Sequence, residues 1–311
     1  MSQLIYHHYP QSPVAMKLRV CFGLLGLDWD EVEIPRVPPK PLLMPLTGGY
    51  RRTPVLQIGS DIYLDSQNIA LELGTRYPAL FASSDGARDL QLGHYCGVHL
   101  FGLAVRLVIS SVIGTAPDGF IQDRASIYFD AGWNPEDMQA RIPSFALQLQ
   151  AGLSEMDRIL AAQKEKGEDF LLGSKASYAD AALRQLTWFI GGRWDQGPDF
   201  LNGFDHLNAH GAAMDDLGEG RIAHTLSGED ALGVALNSAP ESPTGIKAAF
   251  TGGLEIGQQV SVRQHVPSAD PDVVGRLRYL DARRVSLDIE NEQAGHVAVH
   301  FPVLDYAVMP A

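Results

Sequence analysis

The chain of 311 residues has only two cysteines, Cys21 and Cys96. Both fall inside helix-spaced patterns, so neither a disulfide framework nor a cysteine metal knuckle is expected, and the usage agrees with a reducing compartment. No apolar run approaches the ~20 residues of a membrane span. The opening Met-Ser-Gln-Leu-Ile-Tyr-His-His lacks a basic region followed by an apolar one, so no signal peptide is expected and the location expected is cytoplasmic. Positive charge is scarce: 24 Lys and Arg face 37 Asp and Glu, a net charge of −13. Residues 1–80 hold seven of each sign, so the whole acidic excess lies beyond them. An acidic body argues against nucleic acid and anionic membrane as partners.

Apolar residues make up 45% of the chain and charged ones 20%, which fits a globular protein with room for two or three cores. Leu4–Tyr9 reads as a strand, closed by Pro10-Gln-Ser-Pro13. Val14, Leu18, Cys21, Phe22 and Leu25 then recur at helical spacing up to Gly26. Trp29–Ile34 is a second strand, and the three form a βαβ unit with a right-handed crossover. Prolines at 35, 38, 39, 41 and 45 allow only a loop or a broken turn. Val55–Ile58 and Ile62–Leu64, split by Gly59-Ser60-Asp61, form a hairpin with Pro54 ahead of it. Asp65 and Ser66 open a helix that runs to about Arg76. The order β-α-β, β-β-α is thioredoxin-like.

Beyond Pro78 the spacing becomes helical. Arg88–Ile113 predicts a long helix buried on more than one side, and Met138–Lys166 a second, ended by Gly167. Ser177 and Asp180 have capping-box spacing ahead of the helix Ala181–Ile190. His94, Cys96 and His99 do not share one helix face, so no metal is expected there. Trp188, Phe189 and Trp194 fit either a core or the wall of an apolar pocket.

Asn237-Ser-Ala-Pro-Glu-Ser-Pro-Thr-Gly245 is a linker by composition. After it the period changes to two at Val260/Val262, Leu277/Tyr279, Val285/Leu287/Ile289, Val297/Val299/Phe301 and Leu304/Tyr306/Val308. Turns are expected at 268–272, 281–282 and 291–295. The pattern predicts an antiparallel meander, either a small barrel or a sheet laid on the helical body.

Two motifs now carry a resemblance. Thr53-Pro-Val-Leu opening a hairpin, followed by Asp65-Ser66 at a helix start, resembles the glutathione-binding half of the glutathione transferases. Leu171-Leu-Gly with Ser177-x-x-Asp180 resembles the helix-nucleating motif of that family's second domain. Over the full length the chain is similar to transferase-like proteins with Tyr50-Arg-Arg before the proline and a β-rich tail. The resemblance implies a cis Pro54, and a Thr53 main chain that pairs with the glutathione peptide. It places Ser66 at a helix end suited to a carboxylate, and Asp65 where Glu or Gln is commoner. Ser12 matches the serine that stabilises the thiolate, with Tyr9 and Tyr6 as rival donors. Arg52 is either a clamp for the glycine carboxylate or a solvated charge.

The resulting fold class is a thioredoxin-like α/β domain (1–80), an all-helical domain (81–240) and a small antiparallel β extension (246–311). By resemblance the protein binds glutathione as co-substrate, without a metal. Its thiolate would add to a small electrophilic molecule, or support a related cleavage or isomerisation. A homodimer is implied. The alternative is a non-catalytic binding or interaction protein on the same scaffold.

Overall fold

The computed structural model describes residues 3–84, 86–117, 119–129, 132–265 and 270–311. It divides into two compact units. The described residues of 1–15, 28–72 and 222–311 form the first, and residues 16–27 and 73–221 the second. Residues 268 and 269 of the turn expected at 268–272 lie outside the described residues.

The thioredoxin-like order is present: β1 (Ile5–His8), α1 (Pro13–Leu24), β2 (Asp28–Glu33), a short α2 (Met44–Thr47), β3 (Val55–Ile58), β4 (Asp61–Leu64) and α3 (Ser66–Arg76). Strand β1 pairs in parallel with β2 and antiparallel with β3, and β3 pairs antiparallel with β4. Proline spacing concealed α2, because Pro45 sits in its first turn, where a missing N–H costs nothing.

The helical segment runs from α4 (Ala87–His94) through a π turn at Tyr95–Leu100 into α5 (Phe101–Val112). It continues as α6 (Phe120–Tyr128), α7 (Pro135–Lys164), α8 (Tyr178–Arg193), α9 (Gly197–Leu201) and α10 (Asp205–Leu217). By length and composition alone Ala87–Val112 is apolar enough to cross a membrane, which the run-length criterion on the sequence missed. Its Leu100, Ala104 and Leu107 are nevertheless buried in the helical unit. Gly93 lets α4 lie against the ring of Tyr178, for a Cβ there would come within 2.3 Å of the ring. The capping box at Ser177 is formed: the Asp180 carboxylate accepts from the Ser177 N–H at 2.9 Å and from its hydroxyl at 3.0 Å. Asp180 also accepts from the Leu171 N–H at 2.8 Å and lies 3.0 Å from His210 Nε2, so one buried carboxylate joins α8, α10 and the loop before α8. Trp194 and Phe189 are spent on packing, the first edge-on to Phe200 at 5.1 Å and the second against Phe101 at 5.1 Å.

After β5 (Arg221–Thr225) and α11 (Gly228–Leu236) come β6 (Gly245–Ile246), β7 (Gln259–Gln264), β8 (Val273–Leu280), β9 (Arg284–Asn291), β10 (Gly295–Pro302) and β11 (Tyr306–Pro310). Of the period-two residues, Val260, Val285, Leu287, Val297, Val299 and Phe301 are fully buried, whereas Leu304 is exposed and lies ahead of β11. These strands are not a free-standing barrel. β10 pairs in parallel with β4, Val299 opposite Ile62, so one sheet runs β11-β7-β8-β9-β10-β4-β3-β1-β2-β5. The physical reason is the edge of β4, which alone would present unpaired backbone groups. The segment 237–245, a linker by composition, is fastened down. Asp61 accepts from the Glu241 N–H at 2.8 Å and the Ser242 N–H at 3.2 Å, and Arg278 donates to the Ser242 carbonyl at 2.6 Å. Asp61 and Ser286 also flank His300, at 3.0 Å and 2.7 Å from its ring nitrogens. All three are buried, which makes this array a strand clasp without access for a substrate.

Candidate functional site

The register brings the sequence-predicted site residues to one end of the sheet. Val55 lies opposite His7 on one side and Leu64 on the other. The C-terminal ends of β1 and β4 therefore flank the N-terminal end of β3. The turn with Tyr9 and Ser12, the Thr53-Pro54 bend and the Asp65-Ser66 helix start all follow from those ends. Because β10 runs parallel to β4, the chain leaving β10 toward Tyr306 emerges at the same end.

Ser12 lies in the turn after β1, its N–H donating to the Tyr9 carbonyl at 3.0 Å. Its Oγ accepts from the Ala15 N–H at 3.2 Å, which caps α1. The residue is buried at 2% exposure. Capping uses a lone pair and leaves the hydroxyl proton for another acceptor. Tyr6 is ruled out as a rival: it is fully buried and its hydroxyl donates to the Ala15 carbonyl at 2.9 Å. Tyr9 is 9% exposed, with the Arg36 guanidinium 5.8 Å from its ring centre. Neither cysteine serves this turn. Burial pushes both thiols up to about 12, so both stay protonated.

The Thr53-Pro54 bond is cis. Thr53 is half-buried, and its main-chain N–H and C=O make no hydrogen bond among the described residues. Polar backbone groups left open at a concave strand end are available to an extended peptide. Lys40, which sequence reasoning passed over, is 3% exposed and donates from Nζ to Thr53 Oγ1 at 3.3 Å. Its signal was available: a lone lysine between Pro39 and Pro41, where little else than a loop can form.

Asp65 adopts φ 69°, the left-handed region that few non-glycine residues enter. Its Oδ1 accepts from the Gln67 N–H at 2.8 Å, and its Oδ2 from the Tyr306 hydroxyl at 3.2 Å. Ser66 follows as the first residue of α3 and is half-buried. The start of α3 is held to the sheet by Asn68, whose Nδ2 donates to the carbonyls of Leu64 at 3.1 Å and His300 at 2.8 Å.

Arg52 is not a solvated surface charge. It and Arg51 both donate from Nε to Asp270, Arg51 at 2.5 Å, and all three side chains are only 12–13% exposed. Burial is the largest influence and lowers the Arg52 pKa, but Asp270 and the neighbouring Tyr50 and Tyr306 together more than offset it and hold the group charged. Burial pushes the phenols of Tyr50 and Tyr306 upward, so both remain neutral hydrogen-bonding groups beside these charges. Asp270 and Tyr306 had no signal in the sequence, since nothing local announces which arginine or aspartate they meet.

Among the described residues, no group of three or more His, Cys, Asp or Glu is placed to hold a metal ion. The arrangement offers a hydroxyl donor, open main-chain groups, a buried ammonium and two helix starts, which suits an extended ligand with carboxylates and a thiol.

Comparison with known proteins agrees. Residues 7–81 match the model of the glutathione S-transferase N-terminal domain, and residues 128–218 that of the glutathione S-transferase C-terminal domain. A GST-like protein from Pseudomonas syringae is 30% identical, with all of both chains covered and a TM-score of 0.75. A glutathione S-transferase from Methylobacillus flagellatus, solved with GSH bound, is 20% identical over 71% of this chain and all of its own, with a TM-score of 0.51. A Tau class enzyme from mango is 14% identical over 69% of this chain and 92% of its own, with a TM-score of 0.51. These two leave about three tenths of this chain uncovered, whereas the Pseudomonas chain covers all of it. No curated protein matches the chain. The chain thus belongs to the glutathione S-transferase family, in a GST-like form whose sheet is extended by the C-terminal strands.

Proposed function

We propose that the protein binds glutathione at the end of the sheet where Ser12, Thr53 and Ser66 converge, and adds its thiolate to a small electrophilic molecule. The observation that carries this is Thr53's main chain, open at the start of β3 among the described residues, next to the strand that leads into Ser12. The glutathione found in the Methylobacillus enzyme supports the choice of ligand. The residues fit it by kind. Thr53 offers the amide and carbonyl of a short strand, Ser66 and the start of α3 can take a carboxylate, and Lys40 adds a cation beside Thr53.

In this reading the nucleophile is the glutathione sulfur, not a protein side chain. The thiol loses its proton to solvent water, and the Ser12 hydroxyl at the start of α1 donates to the resulting thiolate. The sulfur then forms a bond to the electrophilic carbon. The electron pair displaced there departs with a leaving group, or takes up a proton where the substrate is a conjugated alkene. Holding the two reactants together supplies much of the acceleration. The proposed setting is a cytoplasmic homodimer, as the family resemblance and cysteine usage suggest.

One observation favours a second reading, a binding protein without transferase activity: Asp65 and Arg52 are both engaged by the protein's own tail. Ser12→Ala separates the two. A charge-assisted hydrogen bond contributes about 1.5–3 kcal/mol. Its loss should therefore raise the pKa of bound glutathione and slow conjugation roughly ten- to hundredfold at neutral pH, with little change in binding. The measurement is thiolate absorbance of the glutathione complex against pH in wild type, Ser12→Ala and Tyr9→Phe. A shift confined to Tyr9→Phe transfers the role to the tyrosine. No shift in either supports the binding protein.

A further inference from the structure

Arg51 and Arg52 are two half-buried cations sharing one carboxylate, and that carboxylate arrives from Asp270, far along the chain in the β extension. Asp270 meets the Nε of each arginine. Arg52 Nη2 is buried and has no hydrogen-bond partner among the described residues. A buried guanidinium donor without an acceptor is costly and marks a place where an acceptor would be gained. Arg52 directly precedes Thr53, whose main chain is open. From the same extension Tyr306 donates to Asp65, on the other side of the β3–β4 hairpin. The extension thus supplies an anion to the cationic side of this sheet end and a donor to its anionic side.

We propose that Arg51 and Arg52 form a carboxylate-binding site whose built-in occupant is Asp270, so that a carboxylate ligand binds there in competition with the β extension. The tail carboxylate stands where the ligand's would, and it sets the affinity by how tightly it is held. Two features support competition over simple scaffolding. Arg52 Nη2 meets no acceptor among the described residues. The contact joins the extension to the residues next to the Thr53-Pro54 bend, where an extended ligand would lie. When the ligand is glutathione the proposal rests on the function proposed above; the site itself does not.

The test uses the full-length protein, the nearly isosteric Asp270→Asn, and Asp270→Asn combined with Arg52→Gln, with inorganic sulfate and glutathione as probes. Asp270→Asn removes the carboxylate that Arg51 and Arg52 share, so its melting temperature should fall. Sodium sulfate should restore much of that loss. Because sulfate strengthens burial in any protein, the readout is the gain of the variant over wild type, and the added Arg52→Gln should abolish it. Glutathione should bind Asp270→Asn about tenfold more tightly than wild type or better, as one added charge-assisted hydrogen bond implies.

Equal sulfate responses in variant and wild type overturn the proposal, as does equal glutathione affinity in both. A sulfate effect that depends on Arg52, with no glutathione heat from either protein, keeps the anion site and removes glutathione as its ligand. Should Asp270→Asn fail to fold, amide exchange in wild type decides. Sulfate should speed exchange in the peptide carrying Asp270, and unchanged or slowed exchange overturns the competition.

Discussion

Acidification should loosen the first unit through His7, before most carboxylates titrate. His7 is 1% exposed on β1 and lies 2.9 Å from Gln57 Oε1 on β3. Burial, opposed only by that hydrogen bond, lowers its pKa from 6.5 to about 4. The folded state therefore holds His7 neutral while the unfolded chain protonates it near the ordinary value. The sign follows: below pH 6.5 the unfolded state takes up a proton that the native state refuses, so stability falls as pH falls. The loss accumulates from about 6.5 down to about 4 and then levels off. At about 1.4 kcal/mol per pH unit the full effect is about 3 kcal/mol, a large share of the ~5–15 kcal/mol typical of a domain. His300 acts in the same direction, its pKa lowered chiefly by burial. The assay is urea unfolding at a series of pH values from 7.5 to 4, followed by tryptophan emission in a variant that keeps only Trp29, which is buried beside Tyr6 and His8. His7→Gln cannot titrate and should flatten the pH dependence by about 3 kcal/mol. An unchanged slope in that variant would refute the reasoning, because the proton uptake would then belong elsewhere.

Two further expectations concern the helical unit and the cysteines. Ser177→Ala should destabilise by about 0.5–2 kcal/mol, because Ser177 is 1% exposed and shares the capping box with Asp180; an unchanged melting temperature would show that Asp180 alone holds the helix start. Cys21 and Cys96, buried and with pKa values pushed up to about 12, should resist a disulfide reagent in the native protein and react fully on unfolding. Rapid labelling of either without denaturant would contradict the burial.

Much of this protein is written locally in its sequence. Backbone geometry ties side-chain periodicity to secondary structure, so Val285, Leu287, Val297 and Val299 announced strands, and the thioredoxin-like order followed from strands, prolines and one turn. The Thr53-Pro54 bend, the Ser12 cap and the Ser177–Asp180 box are short-range features, and each formed where its spacing placed it. Weaker local signals went unread: α2 was hidden by Pro45, and β5 and β6 lack a long alternating pattern.

Tertiary structure alone decided how the extension is used. Alternation assigns an inner and an outer face to a strand but says nothing about which edge it joins. The pairing of β10 with β4 satisfies an exposed strand edge, and no residue in either strand encodes that partner. Nor does sequence couple charges across long separations. Arg52 and Asp270 are 218 positions apart, and any of the chain's acidic residues would have looked equally suitable. Locally Arg52 is only a cation two residues ahead of Pro54; folding decided that it already has a carboxylate beside it, because the shared sheet brings the extension to that end.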